Sequence, residues 1–210
     1  MTFDLRHTLG MAETTKPSLR AQHVQQTRAA LVQAARTRFG RDGFAATSVD
    51  DVAAEAGLTI GALYHHFPNK TALFETVFEQ VHMDLLVASA NAAARGKDDV
   101  DQLARGFEAF LDAVLEPDVQ RIIILDAPAV LGLARFTELD ERYAFTAIVT
   151  ALTQAREHGK LDVRDPETLA RLLLGALTRG GMLIANSPDP KKTRNAVARA
   201  IRELLDGLAP

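Results

Sequence analysis

The segment Thr47-Ser48-Val49-Asp50-Asp51-Val52-Ala53-Ala54-Glu55-Ala56-Gly57-Leu58-Thr59-Ile60-Gly61-Ala62-Leu63-Tyr64-His65-His66-Phe67-Pro68-Asn69-Lys70 carries the signals of two short helices joined by a tight turn. Ser48 suits an N-cap, and Asp51, three residues on, can return the bond as a capping box. Asp50 and Asp51 also lie where the helix dipole favours negative charge. Val49, Val52, Ala53 and Ala56 form one apolar face. Gly57 ends the helix, because glycine enters the left-handed region without strain. Thr59 can cap a second helix that turns Leu63 and Phe67 inward at i and i+4. Pro68 stops that helix, and a third begins near Asn69-Lys70. Two short helices around a Gly-containing turn make a helix-turn-helix, which lays its second helix in the DNA major groove.

The segment supplies its own candidate contacts. Thr59, Ile60 and Gly61 lie at the end of the second helix that meets base edges, with Gly61 permitting close backbone approach. Tyr64 and His65 offer phenol and imidazole donors to phosphate, and Lys70 sits at a helix N-terminus that adds its dipole. Thr47 and Ser48 add hydroxyl or amide donors from the first helix. His66 reads as a structural hydrogen-bonding residue. Upstream, Val24, Leu31, Ala35 and Phe39 keep a 3.6-residue period, which predicts a helix over 22–40 ended by Gly40 and Gly43. Phe39, Phe44, Val52, Leu63 and Phe67 are the expected core of this three-helix unit.

Ala56-Gly57-Leu58-Thr59-Ile60-Gly61-Ala62-Leu63-Tyr64-His65-His66-Phe67-Pro68-Asn69-Lys70, preceded by Gly43-Phe44-x-x-Thr47-Ser48-Val49-x-x-Val52-Ala53, resembles the signature of the TetR-type (TetR/AcrR) transcriptional repressors. The resemblance spans roughly residues 22–75. It implies a dimer on double-stranded operator DNA, with a small-molecule effector in a divergent C-terminal half. Many members carry Lys or another polar residue where this chain has Ile60. An aliphatic side chain there can touch a thymine methyl but cannot hydrogen-bond a base edge.

With 210 residues, the chain accommodates one good core, or a small module on a larger one. Cysteine is absent, which excludes disulfides and thiolate metal sites and fits a cytoplasmic protein. No apolar run approaches the ~20 residues of a membrane helix; Ile122-Ile123-Ile124-Leu125 stops at Asp126. No signal-peptide pattern opens the chain. The net charge is −3, but residues 1–70 carry 8 Lys and Arg against 6 Asp and Glu, and residues 71–210 carry 16 against 21. That division suits a phosphate-binding face on an acidic body. His65-His66 is a poor chelate, since adjacent helical side chains diverge and no third ligand follows at i+3 or i+4. No nucleophile elbow, phosphate loop or dinucleotide glycine motif is found, so neither an enzyme nor a cofactor or metal site is expected.

Residues 1–21 read as a disordered arm in which Lys16 and Arg20 can reach the minor groove and Met11 offers an alternative start. A DNA-binding domain is assigned to 22–69 and a ligand-binding and dimerisation domain to 70–210. Helices are predicted over about 70–94, 100–115, 134–157, 166–185 and 192–208, with an irregular stretch at 119–133 broken by Pro128 and Gly132. The fold class is all-α, a three-helix helix-turn-helix module plus a helical bundle that dimerises. Leu169, Leu172, Leu173, Ala176, Leu177 and Gly180 form the expected dimer surface, because two recognition helices on a two-fold axis read a palindrome. Pockets between bundle helices favour small ligands, and Phe107, Phe110, Phe136, Tyr143 and Phe145, with Asp126 and Arg135, are the candidates. The resulting reading is a ligand-responsive repressor released by a small apolar or amphipathic effector. The alternative is an all-helical ligand-binding or scaffold protein whose helix-turn-helix no longer reads DNA.

Overall fold

A computed structural model describes residues 18–210, and among them there is no β-strand. Helix α1, Leu19–Asp42, starts earlier than the periodicity predicts, because Ser18 accepts the Ala21 N–H at 3.2 Å. Arg20 is therefore helical; Lys16 and Met11 lie outside the described residues. Val24 is exposed, so the buried stripe of α1 begins only at Leu31. Gly40 does not end the helix. It lies inside the last turn, where a Cβ would come within 2.5 Å of the Asp118 Cβ, so its role is close packing. The stop is Gly43, at φ 82°.

Helix α2, Val49–Glu55, opens with the expected reciprocal capping box between Ser48 and Asp51. Gly57, at φ 66°, makes the turn, and Thr59 caps α3, Ile60–His66, by accepting the Ala62 N–H at 3.1 Å. Phe39, Val52, Leu63 and Phe67 are buried together. Phe44 is half-buried, its ring 5.7 Å from Phe39 and 5.2 Å from Phe74. Phe74 belongs to α4, Lys70–Ala93, so this aromatic stack carries the module's core across into the body without a break.

The body continues with α5, Asp99–Ala113, capped by Asp98. The predicted irregular stretch resolves into a short turn α6, Pro117–Val119, a π-helical segment Gln120–Asp126, and α7, Ala127–Leu131, which ends at Gly132. Three consecutive isoleucines, Ile122, Ile123 and Ile124, are all buried. Adjacent helical side chains point about 100° apart, so burying all three requires protein on several sides, and α1, α4 and the later helices provide it. The predicted helix over 134–157 is α8, Leu133–Asp140, and α9, Thr146–Glu157, joined through a second π-helical segment at Glu141–Phe145. Helices α10, Pro166–Ala185, and α11, Pro190–Asp206, pair closely, with Gly180 against Val197, while Gly181 lies against Ile124 of the π-helical segment. By length and composition α10 is apolar enough to cross a bilayer, although no uninterrupted apolar run suggested it. It also carries Arg171 and Arg179 and packs Ala170, Leu174 and Ile184 into the bundle.

Candidate DNA-reading surface and inner cavity

The exposed side of α3 presents Ile60, Gly61, Tyr64 and His65, with Thr59 beside them. Ile60 is 40% exposed and Tyr64 51%, large apolar surface for a helix of this length. Burial, and then the neighbouring His65, lower the His66 imidazole from its usual range, which suits an uncharged ring. Ser48 is exposed, its hydroxyl bonded to Asp51 at 2.6 Å. Thr47 is buried and donates its hydroxyl to the Gly43 carbonyl at 2.8 Å. Its hydroxyl is thereby committed within the protein.

Lys70 also has an internal role that the sequence does not reveal. Its ammonium donates to the carbonyls of Phe44 and Thr47, both at 2.8 Å, and lies 4.2 Å from the centre of the Phe44 ring. The start of α4 is thereby fastened to the loop that precedes α2. A second tie reaches the same loop from the body: the Asp126 carboxylate accepts the Phe44 N–H at 2.7 Å. The cations of α1 are largely engaged as well. Arg36 pairs with Asp84 and Asp118, Arg38 with Glu55, and Arg41 with Asp42.

A cavity of about 190 Å³ opens between α4, α5, the second π-helical segment, α9 and α10. Of the expected ligand residues, Phe107, Phe110 and Tyr143 line it. The others lie elsewhere. Asp126 holds the Phe44 amide, Arg135 pairs with Glu75 and Glu138, and the buried Phe136 ring stands 5.9 Å from Phe78. Phe145 lies under the Arg171 guanidinium, 4.4 Å away. Sequence reasoning missed His82 and Asp140, which face each other across the cavity wall at 3.2 Å. His82 sits at i+4 from Phe78 on the apolar stripe of α4, which was the available signal. Burial, then the nearby Glu79 carboxylate, raise the Tyr143 phenol, which keeps it a neutral donor.

The expected dimer residues divide between two faces. Leu173, Leu177 and Gly180 turn inward, Leu177 onto the cavity and Gly180 onto Val197. Leu169 and Ala176 are half-buried. Only Leu172 is fully outward, 66% exposed, and it is joined by Leu183 on the same helix and Leu204 on α11.

Comparison with known proteins agrees with this architecture. Residues 31–77 match the model of the bacterial regulatory proteins of the tetR family, and residues 100–208 match the tetracyclin repressor-like C-terminal domain. The transcriptional regulator TtgR of Pseudomonas putida is 32% identical over 162 residues, covering 76% of this chain and 70% of that one. A TetR-family regulator of Pectobacterium atrosepticum, known by crystal structure, is 34% identical with a TM-score of 0.80, over 90% of this chain and 96% of that one. The structure of RolR in complex with resorcinol shares the fold, at 19% identity and a TM-score of 0.70, over 91% of this chain and 98% of that one. The chain belongs to the TetR family of transcriptional regulators. It is a DNA-binding regulator, of a family whose members are regulators and not enzymes.

Proposed function

We propose that this regulator represses transcription in the cytoplasm as a homodimer on a palindromic operator, and that a small apolar or amphipathic effector releases it. In this reading Thr59, Ile60 and Gly61 face base edges, while Ser48, Tyr64 and His65 contact phosphate. Thr47 and Lys70 hold the loop that aims them, and Lys70 also leaves its charge near the backbone. The outward leucines of α10 and α11, with Leu169 and Ala176 at their margin, form the dimer contact.

One observation carries the proposal. Helix α4 walls the cavity with Leu85, Leu86 and Ala90, and its first residue, Lys70, grips the loop of the reading module. A helix of 24 residues is about 36 Å long at ~1.5 Å per residue, so a small tilt at the cavity becomes ångströms at the reader. Two recognition helices must sit roughly 34–36 Å apart to enter successive major grooves. The effector must bind the DNA-incompetent spacing more tightly, because a ligand shifts an equilibrium only by its differential affinity. Footprinting on the DNA upstream of the chain's own gene, with and without a panel of lipophilic compounds, tests this. Protection of a palindrome that some compound relieves is the expected result. Protection that no cavity-binding compound alters would leave a DNA-binding protein without this switch.

A further inference from the structure

One acidic side chain marks the cavity wall. Among the described residues lining it, none is Lys or Arg, and Asp140 is the only carboxylate. The neighbouring arginines are committed elsewhere: Arg135 to Glu75 and Glu138, Arg142 to Glu79 and Glu138, Arg171 to Glu141 and Glu167. Asp140 is left with His82 alone. A carboxylate accepts, so the imidazole carries its proton on Nε2. That leaves His82 Nδ1 buried without a partner. The imidazole supplies Asp140 with one hydrogen bond, and the second Asp140 oxygen has no partner among the described residues. A carboxylate beside an apolar cavity is stabilised by any cation that reaches it, whereas a second anion there is penalised.

The remaining wall is apolar, built by Leu103, Phe107, Phe110, Leu174 and Leu177, with Ser89, Gln102 and Thr178 as neutral polar groups. A cavity of about 150 Å³ takes benzene, so the volume of about 190 Å³ here suits one ring with a short tail. Resting on the reading of this cavity as the effector site, we propose that it selects a protonated amine carried on a ring-sized apolar body, with the ammonium on Asp140 and the ring among Phe107, Phe110 and Leu177. Carboxylate and phosphate ligands are disfavoured by the same charge.

Calorimetric titration of the full chain at neutral pH with three probes of matched body, 2-phenylethylamine, 2-phenylethanol and 3-phenylpropionate, tests the assignment. A charge-assisted hydrogen bond is worth about twice a neutral one, so the amine should bind about ten-fold more tightly than the alcohol, and the carboxylate most weakly. Asp140→Asn keeps an acceptor for His82 and should bring amine and alcohol within about two-fold of each other. Ala147→Phe, which fills the cavity from its wall, should remove binding of both. Circular dichroism of each variant establishes that it is folded. A carboxylate probe equal to the amine, an amine no tighter than the alcohol, or an amine preference that survives in folded Asp140→Asn would each overturn the charge assignment while leaving the cavity a ligand site. Failure of amine and alcohol alike to bind would overturn the effector reading, and this proposal with it.

Discussion

Two side chains, Lys70 and Asp126, hold the loop between α1 and α2 from opposite directions. Neither is on the exposed side of α3, yet both hold the loop from which α2 and α3 follow. Removing the ammonium leaves two carbonyls without their donor, and hydrogen bonds to charged groups contribute ~1.5–3 kcal/mol each at most. Lys70→Ala is therefore expected to lower unfolding free energy by about 1–3 kcal/mol in urea titrations, and to weaken binding to every DNA sequence alike. A variant as stable as the wild type would mean that the carbonyl bonds do not form in solution. Asp126→Ala orphans the Phe44 N–H and should cost a similar amount, whereas Asp126→Asn, which still offers an acceptor, should recover most of the loss. The same residues mark where sequence reasoning stops. The capping box at Ser48 and Asp51 was legible because both partners lie within one turn. The Phe44 amide that Asp126 holds and the Glu75 that Arg135 meets lie on other elements far away in the chain, and only packing brings them together. A charged residue near aromatic ones therefore looked like a ligand contact when its partner was a backbone amide or a glutamate.

Among the helices, boundaries with local punctuation were readable and interruptions without it were not. Asp165-Pro166 starts α10 where expected, since the side chain caps and proline fits the first turn. The π-helical segment at 141–145 has no proline or glycine within it and left no mark in the pattern, whereas the one at 120–126 falls in the stretch read as irregular from Pro128 and Gly132. Which side of α10 faces out was equally hidden, because leucines occupy both sides. The geometry now separates them. Leu204→Glu and Leu183→Glu place charge on the outer face and should yield a folded monomer in sedimentation, while Leu173→Glu places it in the core and should unfold the chain. If folded Leu204→Glu and Leu183→Glu proteins remain dimeric, the partner surface lies elsewhere. Helices α5 and α11 are tied through Asp101, which is bonded by Arg105, the Lys97 N–H and Arg202. The Arg105 bond first, then the Lys97 amide and Arg202, hold this carboxyl far below the usual carboxylate range. A depressed folded pKa gives stability that is complete above the unfolded value of ~3.9 and is lost as pH falls through the folded value. Asp101→Asn should therefore melt lower than the wild type at pH 7, and the gap should narrow below about pH 4. A gap independent of pH would assign the loss to packing.

On the scale of the whole molecule, reader and cavity share one continuous core, joined at the Phe39–Phe44–Phe74 stack and at the close approach of Gly40 to Asp118. Helix α4 is thus not the sole connection between the two parts, since α1 rests directly on the segment from Pro117 to Asp126. Phe110 lines the cavity from α5. Phe110→Ala should accordingly alter the effector response in fluorescence-anisotropy titrations while ligand-free operator affinity stays within a few-fold. Loss of DNA binding in a folded dimeric Phe110→Ala protein would mean that cavity and reader are not separable. The internal pairing of Arg36, Arg38 and Arg41 bears on a different property, the behaviour of the protein on the rest of the chromosome. Sequence-independent attachment to DNA grows with the number of cations free to displace counterions, and it is this attachment that competes for a regulator across ~10⁶ or more alternative sites. With these guanidiniums already paired with the protein's own carboxylates, the log–log salt dependence of its binding to random-sequence DNA is expected to be shallow.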